Sequence, residues 1–261
     1  VDLEVYAQVK RSIKTLLDLS LDGYKDEQMR RRLDTWLTRA GDASWPAYFR
    51  RVRADPQELA RFRNYLTINV SSFFRDPERW EELNQIYLPA LFKARSPLRV
   101  WSAGCSIGLE PYSLVMALDE VRAGRLNYLV ATDLDRGALD KARARGPFSA
   151  NDIQNVSPTR LARYFETGGP PYFIVPRFAQ RVQFREQNLL TDPYEGDFDL
   201  IVCRNVVIYF TGPAKDTLYR KMAGALRVGG LLFVGGTEII PSAHDLGLKS
   251  IGVSFYQKIS A

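Results

Sequence analysis

Residues Leu98–Ser113 read LRVWSAGCSIGLEPYS. An apolar run carrying Leu98, Val100 and Trp101 reaches a turn of small residues from Ala103 to Gly108. A helical pattern follows through Leu114, Met116, Ala117 and Leu118. Strand, glycine turn and helix are the opening of a nucleotide-binding βαβ unit: glycine lets the backbone approach a ligand, and Pro111 suits the first turn of a helix. A second apolar run, Tyr128–Thr132, ends in Asp133, where a carboxylate can accept both hydroxyls of a ribose. The glycine spacing is not G-x-G-x-x-G, which favours a nucleoside ligand without a pyrophosphate over a dinucleotide.

Outward from this stretch, strands near 98–103, 128–132, 198–203 and 230–235 alternate with helices near 110–122, 135–145 and 213–227. The alternation predicts an α/β fold, a Rossmann-like, mostly parallel sheet with helices on both faces. Segment 147–187 breaks the rhythm. Residues 172–175 and 181–184 have strand character around the turn Gly168-Gly169-Pro170-Pro171, and predict a small β insertion. A last strand is expected over 251–258, at or near the sheet edge.

Residues 1–95 carry helical periodicity throughout. The helix expected over 26–39 places Met29, Leu33, Trp36 and Leu37 on one face, with Arg30, Arg31 and Arg32 around its other sides. Ser44-Trp45-Pro46 starts another helix, 58–68 is a third, and Asp76-Pro77-Glu78 caps one running through Trp80, Leu83, Ile86 and Leu88. The expected organisation is an all-α N-terminal domain over 1–75, a linker helix over 76–97, and an α/β domain over 98–261 with its insertion at about 147–187.

The 46% hydrophobic and 25% charged content is that of a globular domain, and no apolar run is long enough to span a bilayer. The first residues, VDLEVYAQVKRSIKTLLDL, are charged and amphipathic, unlike a secretory leader. Two cysteines, Cys105 and Cys203, suit a reducing compartment, and with a single histidine, His244, they argue against a metal site and against Ser-His or Cys-His catalysis. The net charge of +6 is uneven: residues 1–75 hold 14 Lys and Arg against 10 Asp and Glu, which points to an anionic partner, nucleic acid or an acidic protein surface.

In a doubly wound sheet, ligands bind beyond the carboxyl ends of the strands. Gly104–Glu110, Asp133, Asn188-Leu189 and Arg204-Asn205 all fall there. Each has a structural alternative: the glycines serve a tight turn, Asp133 caps a helix, Asn188 and Asn205 satisfy turn backbone. Their joint placement after successive strands favours a ligand site.

The chain resembles the CheR-type chemotaxis receptor methyltransferases, which use S-adenosylmethionine (SAM) to esterify receptor glutamates, and is most similar to their Bacillus-like branch. The likeness rests on Asn69-Val70-Ser71-Ser72-Phe73-Phe74-Arg75, Ala103–Ser113, Ala131–Asp135, Asn188-Leu189-Leu190, Phe198–Phe210 and Gly230–Glu238, in family order across nearly the whole chain. It implies cofactor contacts from Asn69, Ser71, Arg75, Gly104, Glu110, Asp133, Asn188, Leu189, Arg204 and Asn205, with Arg75 and Tyr209 near the transferred methyl group. One departure is Ser106-Ile107-Gly108-Leu109-Glu110, where the family turn has Thr and a further Glu; Glu110 beside Pro111 is kept. The resemblance also implies a cytoplasmic enzyme acting on the acidic helical bundle of a chemoreceptor, with S-adenosylhomocysteine as product and no part for nucleic acid or membrane insertion. Arg30, Arg31 and Arg32, with Arg50, Arg51 and Arg53, would form the matching basic surface, or else a solvated helix face.

A glutamate is ionised at neutral pH, so it is already the nucleophile and needs no general base. What the enzyme has to supply is orientation, worth effective molarities of roughly 10⁵–10⁸ M in well-aligned pairs. The rival classes are a nucleic-acid methyltransferase and a non-catalytic SAM-binding module. No Asn-Pro-Pro-Tyr type motif follows the fourth strand, which counts against the first; Arg75, Tyr209 and the full cofactor set count against the second.

Overall fold

The computed structural model describes residues 2–67 and 71–260. Contacts divide the chain into two units, Val1–Asn69 with Ile208–Asp216, and Val70–Val207 with Thr217–Ala261. The sequence places the boundary at residue 75 with a linker helix after it; by contacts, Val70–Val207, linker helix included, groups with the sheet.

Among its described N-terminal residues the smaller unit holds four helices. α1 (Leu3–Leu17) starts where the Asp2 side chain accepts the Val5 N–H at 2.8 Å, and it buries Tyr6, Val9, Ile13 and Leu17 at helical spacing. α2 (Asp26–Ala40) stops at Gly41, whose φ of 73° ends the helix at low steric cost. α3 (Trp45–Val52) is capped by Ser44, and α4 (Pro56–Leu66) by Asp55, two residues ahead of the expected start. Trp45, Tyr48 and Phe62 form an aromatic core with ring centroids 5.3–5.8 Å apart. Ile208–Asp216 joins this unit by backbone pairing. The Lys25 N–H donates to the Tyr209 carbonyl and the Thr211 N–H to the Gly23 carbonyl, both at 2.9 Å, and the Tyr24 and Phe210 rings lie 4.9 Å apart.

In the larger unit the helix expected from 76 onward is interrupted. α5 (Pro77–Glu82) and α6 (Leu88–Ala94) are separated by a π-helical stretch, Leu83–Tyr87. Pro89 has no N–H to give an α-helical carbonyl, which explains the interruption. The strands are β1 (Arg99–Ala103), β2 (Tyr128–Asp133), β3 (Val182–Glu186), β4 (Phe198–Cys203), β5 (Leu226–Val234), β6 (Leu248–Gly252) and β7 (Phe255–Lys258), in sheet order β3-β2-β1-β4-β5-β7-β6. The first five are parallel; β7 runs antiparallel to β5, and β6 to β7. β4 is buried at all six residues, as a central parallel strand requires. Helices α7 (Leu109–Val121), α8 (Arg136–Arg143) and α11 (Gly212–Ala225) follow β1, β2 and β4.

The expected β insertion is mostly not a ladder. Of residues 181–184, Val182 onward belongs to β3, the edge strand of the main sheet, and 172–175 make only the isolated bridges Phe148–Tyr172 and Phe165–Ile174. Two short helices supply the rest, α9 (Pro158–Tyr164) and α10 (Pro176–Ala179), each opened by a proline that has no donor to give a strand. The single C-terminal strand expected is a hairpin, turned at Ser254 with φ of 72°. No helix among the described residues is long and apolar enough to cross a membrane.

Candidate functional site

After β1, the N–H groups of Gly104 and Cys105 both donate to the Thr132 carbonyl, at 2.8 and 2.9 Å, so the turn closes onto the end of β2. Gly104 has φ of 81°, and a Cβ there would run into the Val206 side chain. Asp133 fastens the same turn: one carboxylate oxygen accepts the Ser106 N–H at 2.7 Å, the other the Asp135 N–H at 2.9 Å. Burial pushes the Asp133 carboxyl up, against the pull of these backbone donors. A carboxylate oxygen has two lone-pair directions, so Asp133 keeps capacity for ribose hydroxyls. Asp135, not Asp133, caps α8, accepting the Ala138 N–H at 3.1 Å.

Glu110, in the first turn of α7, accepts the Ser102 hydroxyl at 2.7 Å. Burial pushes its carboxyl up to about 7; Arg204 and the Ser102 hydrogen bond oppose the shift, and Glu238 adds to it. Arg204 is itself buried, its Nη2 2.5 Å from Asp76 Oδ2 and its guanidinium 4.7 Å from the Phe233 ring centre. Burial lowers the Arg204 pKa, with Glu110 and Asp76 pulling it back. Asp76 was expected only as a helix cap; its side chain makes no cap hydrogen bond and serves Arg204 instead.

The chain leaves β4 through Asn205, with φ of 59°, whose N–H donates to Glu238 Oε2 at 3.1 Å. The Gly235 N–H donates to the same oxygen at 2.5 Å. Glu238 is buried and was not singled out from sequence, although its position was marked: an acidic residue just beyond a Gly-Gly turn that follows an apolar strand. Arg204 Nε and Asn205 Oδ1 are buried and have no hydrogen-bond partner among the described residues.

Asn188 bears out in part the structural alternative: its Oδ1 accepts the Leu190 N–H at 3.0 Å, and its own N–H donates to Asp192. The side-chain amide N–H groups remain available for a ligand. Leu189 is buried, its carbonyl accepting from the Tyr194 hydroxyl at 2.6 Å and Lys221 Nζ at 3.0 Å. Lys221 also reaches the Asp192 carbonyl, at 2.7 Å, and so ties down the whole turn after β3.

Asn69 lies outside the described residues, and Ser71 is partly exposed. Phe73 and Phe74 are fully buried, and the Arg75 carbonyl accepts the Trp80 indole N–H at 3.0 Å. Phe74 and Asp76, either side of Arg75, both adopt the left-handed region, at a cost on the order of 1–2 kcal/mol each. Gly104, Glu110, Asp133, Asn188, Leu189, Arg204 and Asn205 thus stand together at the carboxyl ends of β1–β4, and the Asp76 ion pair brings the Arg75 segment to Arg204.

Tyr209 belongs by contacts to the smaller unit, as do the candidate substrate arginines. They do not form one uniform basic face. Arg31 is exposed and pairs with Glu27 at 2.6 Å, and Arg30 is partly exposed. Arg32 is half-buried, stacks 4.4 Å from the Tyr65 ring centre, and donates to the Tyr65 carbonyl. Cys105 and Cys203 are buried, and burial pushes both thiols up, away from the nucleophilic thiolate.

A parallel sheet that gathers a half-buried Glu, an Asp with spare acceptor capacity and a buried Arg at its carboxyl edge suits a ligand carrying cationic, diol and carboxylate groups. SAM carries all three, and the unpartnered Arg204 Nε and Asn205 Oδ1 agree with a polar ligand there. These features define a Rossmann-like methyltransferase. The chain belongs to the CheR methyltransferase family: residues 69–254 match its SAM-binding domain, and residues 4–67 its all-alpha domain. It is a SAM-dependent methyltransferase. The chain is 40% identical to a chemotaxis protein methyltransferase of Listeria monocytogenes over 98% of both chains. It is 42% identical to chemotaxis protein methyltransferase 1 of Pseudomonas aeruginosa over 69% of each, and 34% identical to methyltransferase 2 of that organism over 97% of this chain and 92% of the other.

Proposed function

We propose that the protein transfers the SAM methyl group to glutamate side chains of chemotaxis receptors in the cytoplasm, forming methyl esters and S-adenosylhomocysteine. The observation that carries this reading is the match to a chemotaxis protein methyltransferase over 98% of the chain. SAM supplies an activated methyl on a sulfonium. Glu110 faces its cationic end, Asp133 the ribose hydroxyls, and Arg204 the carboxylate, with Ser71, Gly104, Asn188, Leu189 and Asn205 completing the cradle. Besides its cofactor contact, Arg75 draws the incoming glutamate carboxylate toward the methyl, and Tyr209 donates its hydroxyl to the same carboxylate. With the substrate ionised at neutral pH, no side chain has to remove a proton. Water exclusion and alignment then supply the rate.

The test is incubation with methyl-labelled SAM and purified receptor cytoplasmic domains. Base-labile label released as methanol is expected; base-stable label would mean another acceptor, such as a nucleobase, and no label would mean a binding module. Arg31 offers a probe of receptor recognition, since Arg32 is committed to Tyr65. Arg31→Glu is expected to lower receptor methylation several-fold and leave SAM affinity and Tm unchanged, because an exposed i,i+4 pair contributes only about 0.3–0.5 kcal/mol. Undiminished receptor turnover in that variant would remove the arginines from the interface.

A further inference from the structure

We infer that the insertion between β2 and β3 holds Arg75 in its working position, and that Arg160 is the positioning residue through which it acts. This rests on the role given to Arg75 above. Arg75 lies between two non-glycine residues with positive φ, Phe74 at 48° and Asp76 at 57°, a backbone that persists only where the surroundings over-determine it. From α7, the Ser113 hydroxyl accepts the Phe74 N–H at 3.1 Å and itself donates to the Leu109 carbonyl. From the insertion, the Asp152 carbonyl accepts the Phe73 N–H at 2.9 Å, and the Phe73 ring packs edge-on against Phe148 and Phe165, 5.1 and 5.2 Å away.

Arg160 closes the arrangement. Its guanidinium lies 3.9 Å from the centre of the Phe74 ring, and its Nε and Nη2 each donate to a Glu120 oxygen at 2.8 Å. A bidentate fork and a planar stack leave it one orientation. Phe74 in turn meets Trp80 edge-on at 5.4 Å, and the Trp80 indole N–H donates to the Arg75 carbonyl at 3.0 Å. A continuous line of contacts therefore runs Glu120–Arg160–Phe74–Trp80–Arg75, and the residue at its far end is the one assigned to the reacting groups.

The experiment measures kcat by methanol release, SAM affinity by calorimetry and Tm for Arg160→Lys, Arg75→Ala and the double variant, in the full chain with the receptor fragment that the unaltered enzyme methylates. Lysine keeps the charge beside Glu120 and loses the fork and the stack. Arg160→Lys is expected to lower kcat about tenfold or more, with a smaller loss of SAM affinity and a Tm near its original value. Because Arg160 acts through Arg75, the double variant is expected to be no slower than Arg75→Ala alone. A slow Arg75→Ala beside an unimpaired Arg160→Lys would overturn the inference, as would additive losses in the double variant. An unimpaired Arg75→Ala would overturn the role of Arg75 itself. Should Arg160→Lys fold poorly, Glu120→Gln releases the fork from its other side, and the same comparison with Arg75→Ala decides.

Discussion

The turn at Gly104–Glu110 and the segment Phe73–Asp76 bring side chains to the same carboxyl edge of the sheet by opposite means. The glycine turn is held by the Thr132 carbonyl and the Asp133 carboxylate of the next strand, and glycine takes two of its left-handed positions, Gly104 and Gly108, with Ser106 at the third. Phe73–Asp76 has no glycine and adopts left-handed φ at Phe74 and Asp76 regardless, because partners at Ser113, Asp152, Arg160 and Arg204 hold it there. The first leans largely on its own glycines, the second wholly on the folded unit around it. Damage to the first should therefore fall on cofactor binding, and damage to the second on turnover.

The largest expected effect comes from Phe73→Ala, which empties a fully buried ring site shared with Phe148 and Phe165 and should cost about 3–5 kcal/mol in denaturant unfolding. In what remains folded, kcat should fall more than SAM affinity. Gly104→Ala is expected to cost about 2–3 kcal/mol, from positive φ and overlap with Val206, with its main loss in calorimetric SAM affinity. Equal effects of the two variants on affinity would break the distinction.

The smallest effect is a pH dependence at Glu110. Burial holds its carboxyl at about 7 in the folded protein, above the ordinary value of about 4.3. Its contribution to stability is full below that ordinary value and is lost as pH rises through 7. Glu110→Gln should thus unfold at a higher temperature than the unaltered protein at pH 8, and the gap should close by pH 4.5. SAM affinity should run the other way, weakening below pH 7 as the carboxyl protonates, and the glutamine variant should show a flat profile.

The sheet was legible because parallel strands are continuous apolar runs and the intervening helices have helical spacing. The turn residues Gly104, Glu110, Asp133, Arg204 and Asn205 were legible for the same reason, since strand ends locate them. What escaped depends on long-range partners. Residues 182–184 have strand character, but only pairing with β2 places them in the main sheet. Asp76 carried the signature of a helix cap, and Arg204, 128 residues away, takes its carboxylate. The Gly-Gly turn marks the place of Glu238, but its role emerges only where the Gly235 and Asn205 N–H groups converge on it.

The pairing of Ile208–Asp216 with the helices of the smaller unit has a consequence for how the family's two domains are cut. Sequence comparison divides the chain cleanly between residues 67 and 69, but the helical body also draws on a stretch about 140 residues further along. A fragment ending at residue 69 would leave Tyr24 without Phe210 and would lack the peptide groups that meet Gly23 and Lys25. Exchanging helical domains between relatives therefore requires grafting 208–216 as well, so Tyr209 travels with the helices.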